Sequence, residues 1–356
     1  MRVAVETNAL FVTQAGVARY VRGLLGGLSR ISHPDIDLFE FAWKVENFGY
    51  QQPLRAIRTA YRELIWARFL SPRLLLKQGA DLLHSTTGYM ARHPRSIPNV
   101  VTLHDLAFIR HPERFRRWQK WSGQQNLLPI RSADRVICIS QFTADEAMEL
   151  LALPASKITV VYNGCDFQPT EGAVPESAPD FAVPDEFFLF VGSLEPGKNL
   201  ALARAAYLAA EAEGRRLPPL LIVGARWPGV KHEGEPVSEW RYLGRQPDSA
   251  LVYLYKRALG LVFPSKYEGF GLPVAEAMAV GCPVICSPVA SLPEVCGDAA
   301  LLTEMNPAAY LAAMRRLISD PGLRDELIGK GKARAGRFSW SRCAGETAQV
   351  YRDVLS

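Results

Sequence analysis

Residues 259–289 read LGLVFPSKYEGFGLPVAEAMAVGCPVICSPV, and this stretch decides the fold class. Residues 260–264 form a short apolar run of the kind that fills a buried parallel strand, and residues 282–289 form a second. Between them a helix is expected, with Pro273 at or near its first position, where a missing N–H costs nothing, and with Gly281 as its stop. The order is strand, loop, helix, strand, the unit from which a parallel α/β sheet is built.

The loop Glu268-Gly269-Phe270-Gly271-Leu272 carries the chemistry. Two glycines let the backbone turn tightly with its N–H groups aimed at the helix entrance, where an anion such as a diphosphate is attracted. Glu268 precedes these donors and Glu276 follows them. A carboxylate repels a diphosphate, so both are expected to face neutral hydroxyls at either end of the ligand. Phosphates in the middle, ribose on one side and hexose on the other describe a nucleotide sugar. Taken singly, Glu276 would merely complement the helix dipole and Glu268 would be a solvated loop residue; the pair is what argues for a site.

Two glutamates with seven residues between them, E-G-F-G-L-P-V-A-E, resemble the E-x7-E signature of retaining glycosyltransferases with the GT-B fold, family 4. The resemblance covers nearly the whole chain and implies an α/β architecture of two Rossmann-like domains facing a central cleft. Residues 1–166 would form the N-terminal, acceptor-side domain, with a last helix over residues 340–356 crossing back onto it. Residues 167–184, with Pro169, Pro175, Pro179 and Pro184 and no periodicity, read as a linker. Residues 185–339 would form the nucleotide-sugar-binding domain.

Length and charge agree with this organisation. The chain has 356 residues, room for two domains of ordinary size, and its 48% hydrophobic and 22% charged content excludes a disordered chain. The net charge of +5 is too mild for a nucleic-acid binder. Glu6 and Asn8 interrupt the first apolar run, so neither a signal peptide nor a membrane span is expected, and a cytoplasmic enzyme is. Cys138, Cys165, Cys282, Cys286, Cys296 and Cys343 are scattered without a C-x2-C pair, which reads as small buried thiols. The basic excess is local. Residues 51–77 hold Arg55, Arg58, Arg62, Arg68, Arg73 and Lys77 against Glu63 alone.

In the first half, residues 2–7, 37–43, 81–84, 100–105, 133–140 and 158–162 read as strands. Gly16 sits where the first strand turns into a helix; it is either a turn glycine or one that lets a ligand approach, and the resemblance implies the second. Residues 54–70 read as an amphipathic helix with Leu54, Ile57, Tyr61, Leu64, Ile65 and Phe69 on one face, broken at Pro72. That apolar face would either pack into the core or, with its arginines, rest on an anionic membrane as a peripheral contact. His104 and Asp105 end an apolar run, where open parallel sheets bind ligands. A helix after residue 140 is expected to begin near Thr143 with Glu146 closing a capping box. Asn163-Gly164-Cys165-Asp166 resembles the family's N-G-x-D at the domain crossover.

In the second half, residues 187–191 and 220–224 read as strands, and residues 240–244 resemble the edge segment that holds the nucleobase in relatives. Lys198, in the loop Gly192-Ser193-Leu194-Glu195-Pro196-Gly197-Lys198-Asn199, is one solvated lysine or a phosphate contact, and the family pattern implies the contact. Ser193 and Gly197 stand where relatives commonly carry arginine, so Arg226 and Arg245 are candidates to complete the clamp. Gly244 closes the segment implied to hold the nucleobase.

The resemblance implies hexosyl transfer with retention, from a nucleotide diphosphate sugar to a glycan or lipid-linked acceptor hydroxyl, with no cofactor and no metal. The Asp35-Ile36-Asp37 motif enters a strand at its amino end and is not read as a metal site. His104 would contact the hexose, Glu268 its hydroxyls, Glu276 the ribose, and Gly269, Phe270, Gly271 and Leu272 would supply N–H donors. His104-Asp105-Leu106-Ala107-Phe108 and Leu194-Glu195-Pro196 look most like mannosyltransferases of surface-polysaccharide assembly, which favours GDP-mannose. A nucleotide-sugar epimerase and a non-catalytic nucleotide-sugar-binding subunit stay open as alternatives.

Overall fold

In the computed structural model, the apolar runs at 260–264 and 282–289 become buried parallel strands, and the chain divides into two units. Unit 1 comprises Met1–Gly164 with Trp340–Ser356, and unit 2 comprises Cys165–Ser339. The structure describes residues 1–13, 16–31, 35–46, 54–87, 94–115, 123–124, 127, 129–167, 178–226, 237 and 239–356.

Unit 1 is a six-stranded sheet of β1 (Arg2–Glu6), β2 (Asp37–Phe41), β3 (Leu82–Ser85), β4 (Asn99–Leu103), β5 (Arg135–Cys138) and β6 (Ile158–Val160). All neighbours are parallel, in the order β2-β1-β3-β4-β5-β6. The helix Trp340–Leu355 packs on the helix Gly16–Arg30. Glycine permits that approach: a Cβ on Gly23 would lie 2.2 Å from the Trp340 ring, and one on Gly27 would lie 2.4 Å from the Trp340 carbonyl oxygen.

Unit 2 contains β7 (Phe188–Val191), β8 (Leu220–Val223), β9 (Trp240–Gly244), β10 (Gly260–Phe263), β11 (Val284–Cys286) and β12 (Leu301–Leu302). The order is β12-β11-β10-β7-β8-β9, again parallel. Its first strand lies between its second and its fourth. This is a topological switch point, where loops leaving adjacent strands diverge to opposite faces and open a crevice at the carboxyl ends. The core is built from both strand and helix residues, among them Phe188, Phe190, Ile222, Val262, Tyr207, Tyr310 and Met314.

The expected domain limits can be set beside this division, and two expected helices need correction. The division falls between Gly164 and Cys165, because the Cys165 N–H donates to the Phe338 carbonyl at 3.0 Å and Phe167 packs near Tyr255, with ring centroids 6.1 Å apart. Of the expected linker, residues 168–177 lie outside the described residues and 178–184 contain neither helix nor strand. The helix after β5 starts earlier: Ser140 is its N-cap and accepts the Thr143 N–H, while Glu146 turns to Arg110 at 2.8 Å instead of closing a box. The basic segment is helical beyond Pro72, as Arg55–Ala60, a π-helix Tyr61–Leu70, and Ser71–Lys77. Proline is tolerated there because it falls in a first turn, after a widened turn in which the Ser71 N–H reaches Trp66.

The apolar residues of that segment also face the other way from a core-packing helix. Arg62, Trp66, Ser71 and Leu75 are buried, at the four- and five-residue spacing of widened turns. Leu54, Ile57, Tyr61, Leu64, Ile65 and Phe69 are exposed. The helices Asp248–Arg257 and Pro307–Ser319 and the short strand β12 are additions to the sequence reading.

Candidate functional site

The loops that follow β7 and β10 leave the switch point of unit 2 side by side, and each delivers one charged residue. After β7, the Glu195 carboxylate accepts the Gly197 N–H at 2.9 Å and fixes the turn Pro196–Lys198. After β10, the Lys266 N–H donates to the Gly197 carbonyl at 2.8 Å and joins the loops. Lys198 Nζ then lies 2.5 Å from Glu268 Oε1, and the Ser265 hydroxyl donates to the same oxygen at 2.7 Å. The side chains of Lys198 and Glu268 are only 18% and 11% exposed, so each charge is largely desolvated and the pairing offsets that cost.

Behind the pair, the Ser291 hydroxyl donates to the Glu268 carbonyl at 2.9 Å. Gly271 has φ +87° as N-cap of the helix Leu272–Val280, a left-handed conformation that suits glycine. Its carbonyl accepts the first intrahelical bonds, from Val274 and Ala275. The Gly271 and Leu272 N–H groups precede those bonds at the positive end of the helix. Phe270 is buried edge-on against Phe338, with centroids 5.4 Å apart. Glu276 is buried one turn into the helix, and it contributes, after burial itself, to holding the Cys165 thiol above its usual range.

The other candidates of unit 2 lie along the same end of the sheet. Arg226 follows β8, its backbone bridges Leu194 in the lysine-bearing loop, and its guanidinium stands 4.7 Å from the Tyr242 ring centroid. Gly244 ends the edge strand β9 with φ +65°, and Arg245 beyond it is exposed. The Gly192 N–H reaches the Val223 carbonyl, and the Gly224 N–H reaches that of Gly244. The ends of the three strands are thereby tied together.

In unit 1, Gly16 opens the helix Gly16–Arg30, which a short helix Ala9–Val12 separates from β1. His104 follows β4, donates Nε2–H to the Thr86 carbonyl at 2.8 Å, and meets the Tyr20 ring edge-on at 4.8 Å. A carbonyl only accepts, so this contact fixes the proton on Nε2 and makes Nδ1 an acceptor. Desolvation lowers the pKa of this imidazole, opposed by the Thr86 carbonyl and by Asp105. Asp105 itself is exposed and accepts the Ala107 N–H at 2.9 Å, so it shapes the turn.

Several residues around these sites went unread in the sequence. Ser265 and Ser291 bind Glu268, and the only local signal is a hydroxyl close to a strand end. Glu6 is fully buried at the end of β1, where it accepts the Asn8 N–H at 2.8 Å and the Thr87 hydroxyl at 3.0 Å. Burial pushes its carboxyl above the usual range, against the pull of Asn8, Thr87 and Arg62. His84 Nδ1 lies 2.7 Å from the Tyr351 hydroxyl and Nε2 lies 2.8 Å from Thr102 Oγ1, which in turn meets the Tyr20 hydroxyl at 2.9 Å.

Comparison with known proteins bears on the family and the fold. Residues 177–334 match the family Glycosyl transferases group 1, and residues 15–168 match Glycosyltransferase Family 4. The chain is 33% identical over 304 residues to O-antigen chain mannosyltransferase B of Escherichia coli, covering 80% of this chain and 78% of that protein. It is 30% identical over 312 residues to a D-inositol 3-phosphate glycosyltransferase of Acidothermus cellulolyticus, covering 78% and 68%. Among solved structures, sucrose-phosphate synthase from Thermosynechococcus elongatus superposes with a TM-score of 0.77 at 19% identity, covering 100% of this chain and 99% of that one. Anabaena HepE in complex with UDP-glucose gives 0.65 at 18% identity, covering 99% and 100%.

Proposed function

The chain belongs to the group 1, family 4 glycosyltransferases and has the GT-B fold, and from that premise we propose that it moves mannose from GDP-mannose to a hydroxyl of a glycan or lipid-linked acceptor, with retention of configuration. The observation that carries this reading is the Lys198–Glu268 pair at a switch point, beside a helix entrance. A desolvated ammonium and helix N–H groups are the donors that a leaving diphosphate needs. The carboxylate has two acceptor oxygens suited to sugar hydroxyls. The mannosyltransferase relative supports mannose as the hexose and surface polysaccharide as the product.

In this reaction the acceptor oxygen forms a bond to the anomeric carbon on the face from which the diphosphate departs. The carbon–oxygen bond to phosphate breaks, and the acceptor proton passes to the leaving phosphate oxygen. Lys198 and the N–H groups of Gly271 and Leu272 meet the charge that develops on the diphosphate. Glu268 holds the hexose hydroxyls and Glu276 the ribose hydroxyls. His104, neutral at pH 7 because its pKa is lowered, offers Nδ1 to the hexose near the reacting carbon. No cofactor enters this scheme. Among the described residues no helix is long and apolar enough to cross a membrane; in this reading the enzyme works in the cytoplasm, where the acceptor is displayed at the inner membrane face.

The test is product analysis with GDP-mannose, UDP-glucose and a mannosyl acceptor. An α-linked mannoside formed in step with free GDP is the expected result. A β-linked product would overturn retention, epimerised donor without acceptor glycosylation would indicate the epimerase, and turnover of UDP-glucose alone would overturn the donor.

A further inference from the structure

Eight of the twelve exposed large hydrophobic residues described in the chain fall in one helical segment: Leu54, Ile57, Tyr61, Leu64, Ile65, Phe69, Leu74 and Leu76. Ile57 and Phe69 are 65% and 60% exposed. Scattered apolar side chains on a surface need no explanation, whereas a contiguous row of them does. The segment is not turned outward for want of a core to pack against. Trp66 and Leu75 are buried from it, and they join Ala4, Phe41 and Leu83 in the core of unit 1.

The charges around this row have one sign. Arg73 and Lys77 are exposed, and Arg55, Arg58 and Arg68 are half-buried. The lone acid, Glu63, is paired with Arg62 at 3.1 Å. Arg62 is itself buried, and it acts on the Glu6 carboxyl inside the unit. Arg58 donates to the Glu46 carbonyl at 3.3 Å and one guanidinium nitrogen of Arg55 is buried, so the outward charge is carried mainly by Arg68, Arg73 and Lys77.

We propose that residues 54–77 are an interfacial element that docks unit 1 on an anionic lipid bilayer. The exposed aliphatic and aromatic side chains enter the headgroup boundary, and Arg68, Arg73 and Lys77 remain at headgroup level. An amphipathic helix with cations bordering its apolar face lies in that plane and does not span. Charge complementarity selects anionic lipid over neutral lipid, each basic residue contributing about a fivefold gain in partition. The apolar row, in place of a lipid anchor, sets the depth. The site is separate from the donor-binding residues of unit 2, so its test does not depend on the proposed reaction.

The experiment is co-sedimentation with phosphatidylcholine vesicles, with and without phosphatidylglycerol, at low and high salt. Wild type is expected to sediment with the anionic vesicles and to be partly released by salt, since screening acts over about 10 Å at 0.1 M. Ile57→Ser, Ile65→Ser and Phe69→Ser should each lower partition at least about tenfold, because each removes most of one buried apolar side chain. A variant with Arg68, Arg73 and Lys77 changed to glutamine should lose the preference for anionic vesicles. Arg62 is left in place because it is structural. Thermal melting of every variant should match wild type, the substituted groups being at least partly exposed. Wild type that ignores anionic vesicles, or serine variants that bind as well as wild type, overturns the proposal. So does concentration-dependent self-association, abolished by the serine variants, in a protein that leaves vesicles unbound; the occupant is then a second copy of the chain.

Discussion

Lys198 and Glu268 already satisfy one another at 2.5 Å, so a diphosphate must compete with a carboxylate for the ammonium. Replacing Glu268 removes the competitor as well as the hydroxyl acceptor. Glu268→Ala should therefore leave nucleoside diphosphate affinity unchanged or higher while weakening the sugar-bearing donor. Glu276→Ala should weaken both ligands, and so should Lys198→Ala. Each loss should be about 1–3 kcal/mol, the usual cost of a hydrogen bond to a bound ligand. Titration calorimetry with GDP and with GDP-mannose separates the cases, and equal loss of GDP affinity in the two glutamate variants would refute the division of roles between them. The E-x7-E spacing singled out both glutamates as candidates in the sequence. It did not announce that Ser265 and Lys198 converge on one oxygen, because that needs the loops of β7 and β10 to meet.

At the scale of elements, the helix Trp340–Leu355 is held to unit 1 by two different devices. One is steric, since Gly23 and Gly27 leave no room for a Cβ beneath Trp340. Gly23→Ala should cost about 1–3 kcal/mol or more through overpacking, read as a lowered Tm. The other is polar, the contact of His84 on β3 with Tyr351. Burial, with a smaller push from His104, lowers the His84 pKa from its ordinary 6.5 to about 3. In the unfolded chain His84 takes up its proton near pH 6.5, whereas in the folded chain it does so only near pH 3. Between these values the unfolded state binds the extra proton, so stability falls as pH drops, by up to about 1.4 kcal/mol per pH unit. His104 acts in the same direction, and Glu6, with its raised pKa, opposes it. Denaturant titrations from about pH 6.5 to about pH 4 should give a shallower decline for His84→Gln than for wild type. An identical decline would mean that His84 is not held neutral.

For the whole molecule, the charge of the leaving diphosphate is assigned to Lys198 and to helix N–H groups, and that assignment predicts activity without a divalent cation. Transfer should persist in excess chelator, and activity that vanished there and returned with magnesium or manganese would contradict it. The Asp35-Ile36-Asp37 motif supplies no rival, because Asp35 is engaged by Arg352 at 2.9 Å and Asp37 lies 3.4 Å from Arg2. What the sequence determined by itself is whatever rests on local order. Buried parallel strands show as apolar runs such as Phe188–Val191, and the helix Leu272–Val280 shows in Pro273 near its start and Gly281 at its end. What only the tertiary structure decided is direction and convergence. The period that gathers Ile57, Tyr61, Leu64 and Phe69 on one face does not say whether that face looks inward or outward, and in the folded chain Arg62 and Trp66 took the inner positions. Nor does a strand sequence state its neighbours. The adjacency of β7 and β10 joined Lys198 to Glu268 across the fold, because sheet order follows from how all the helices pack and not from any one segment.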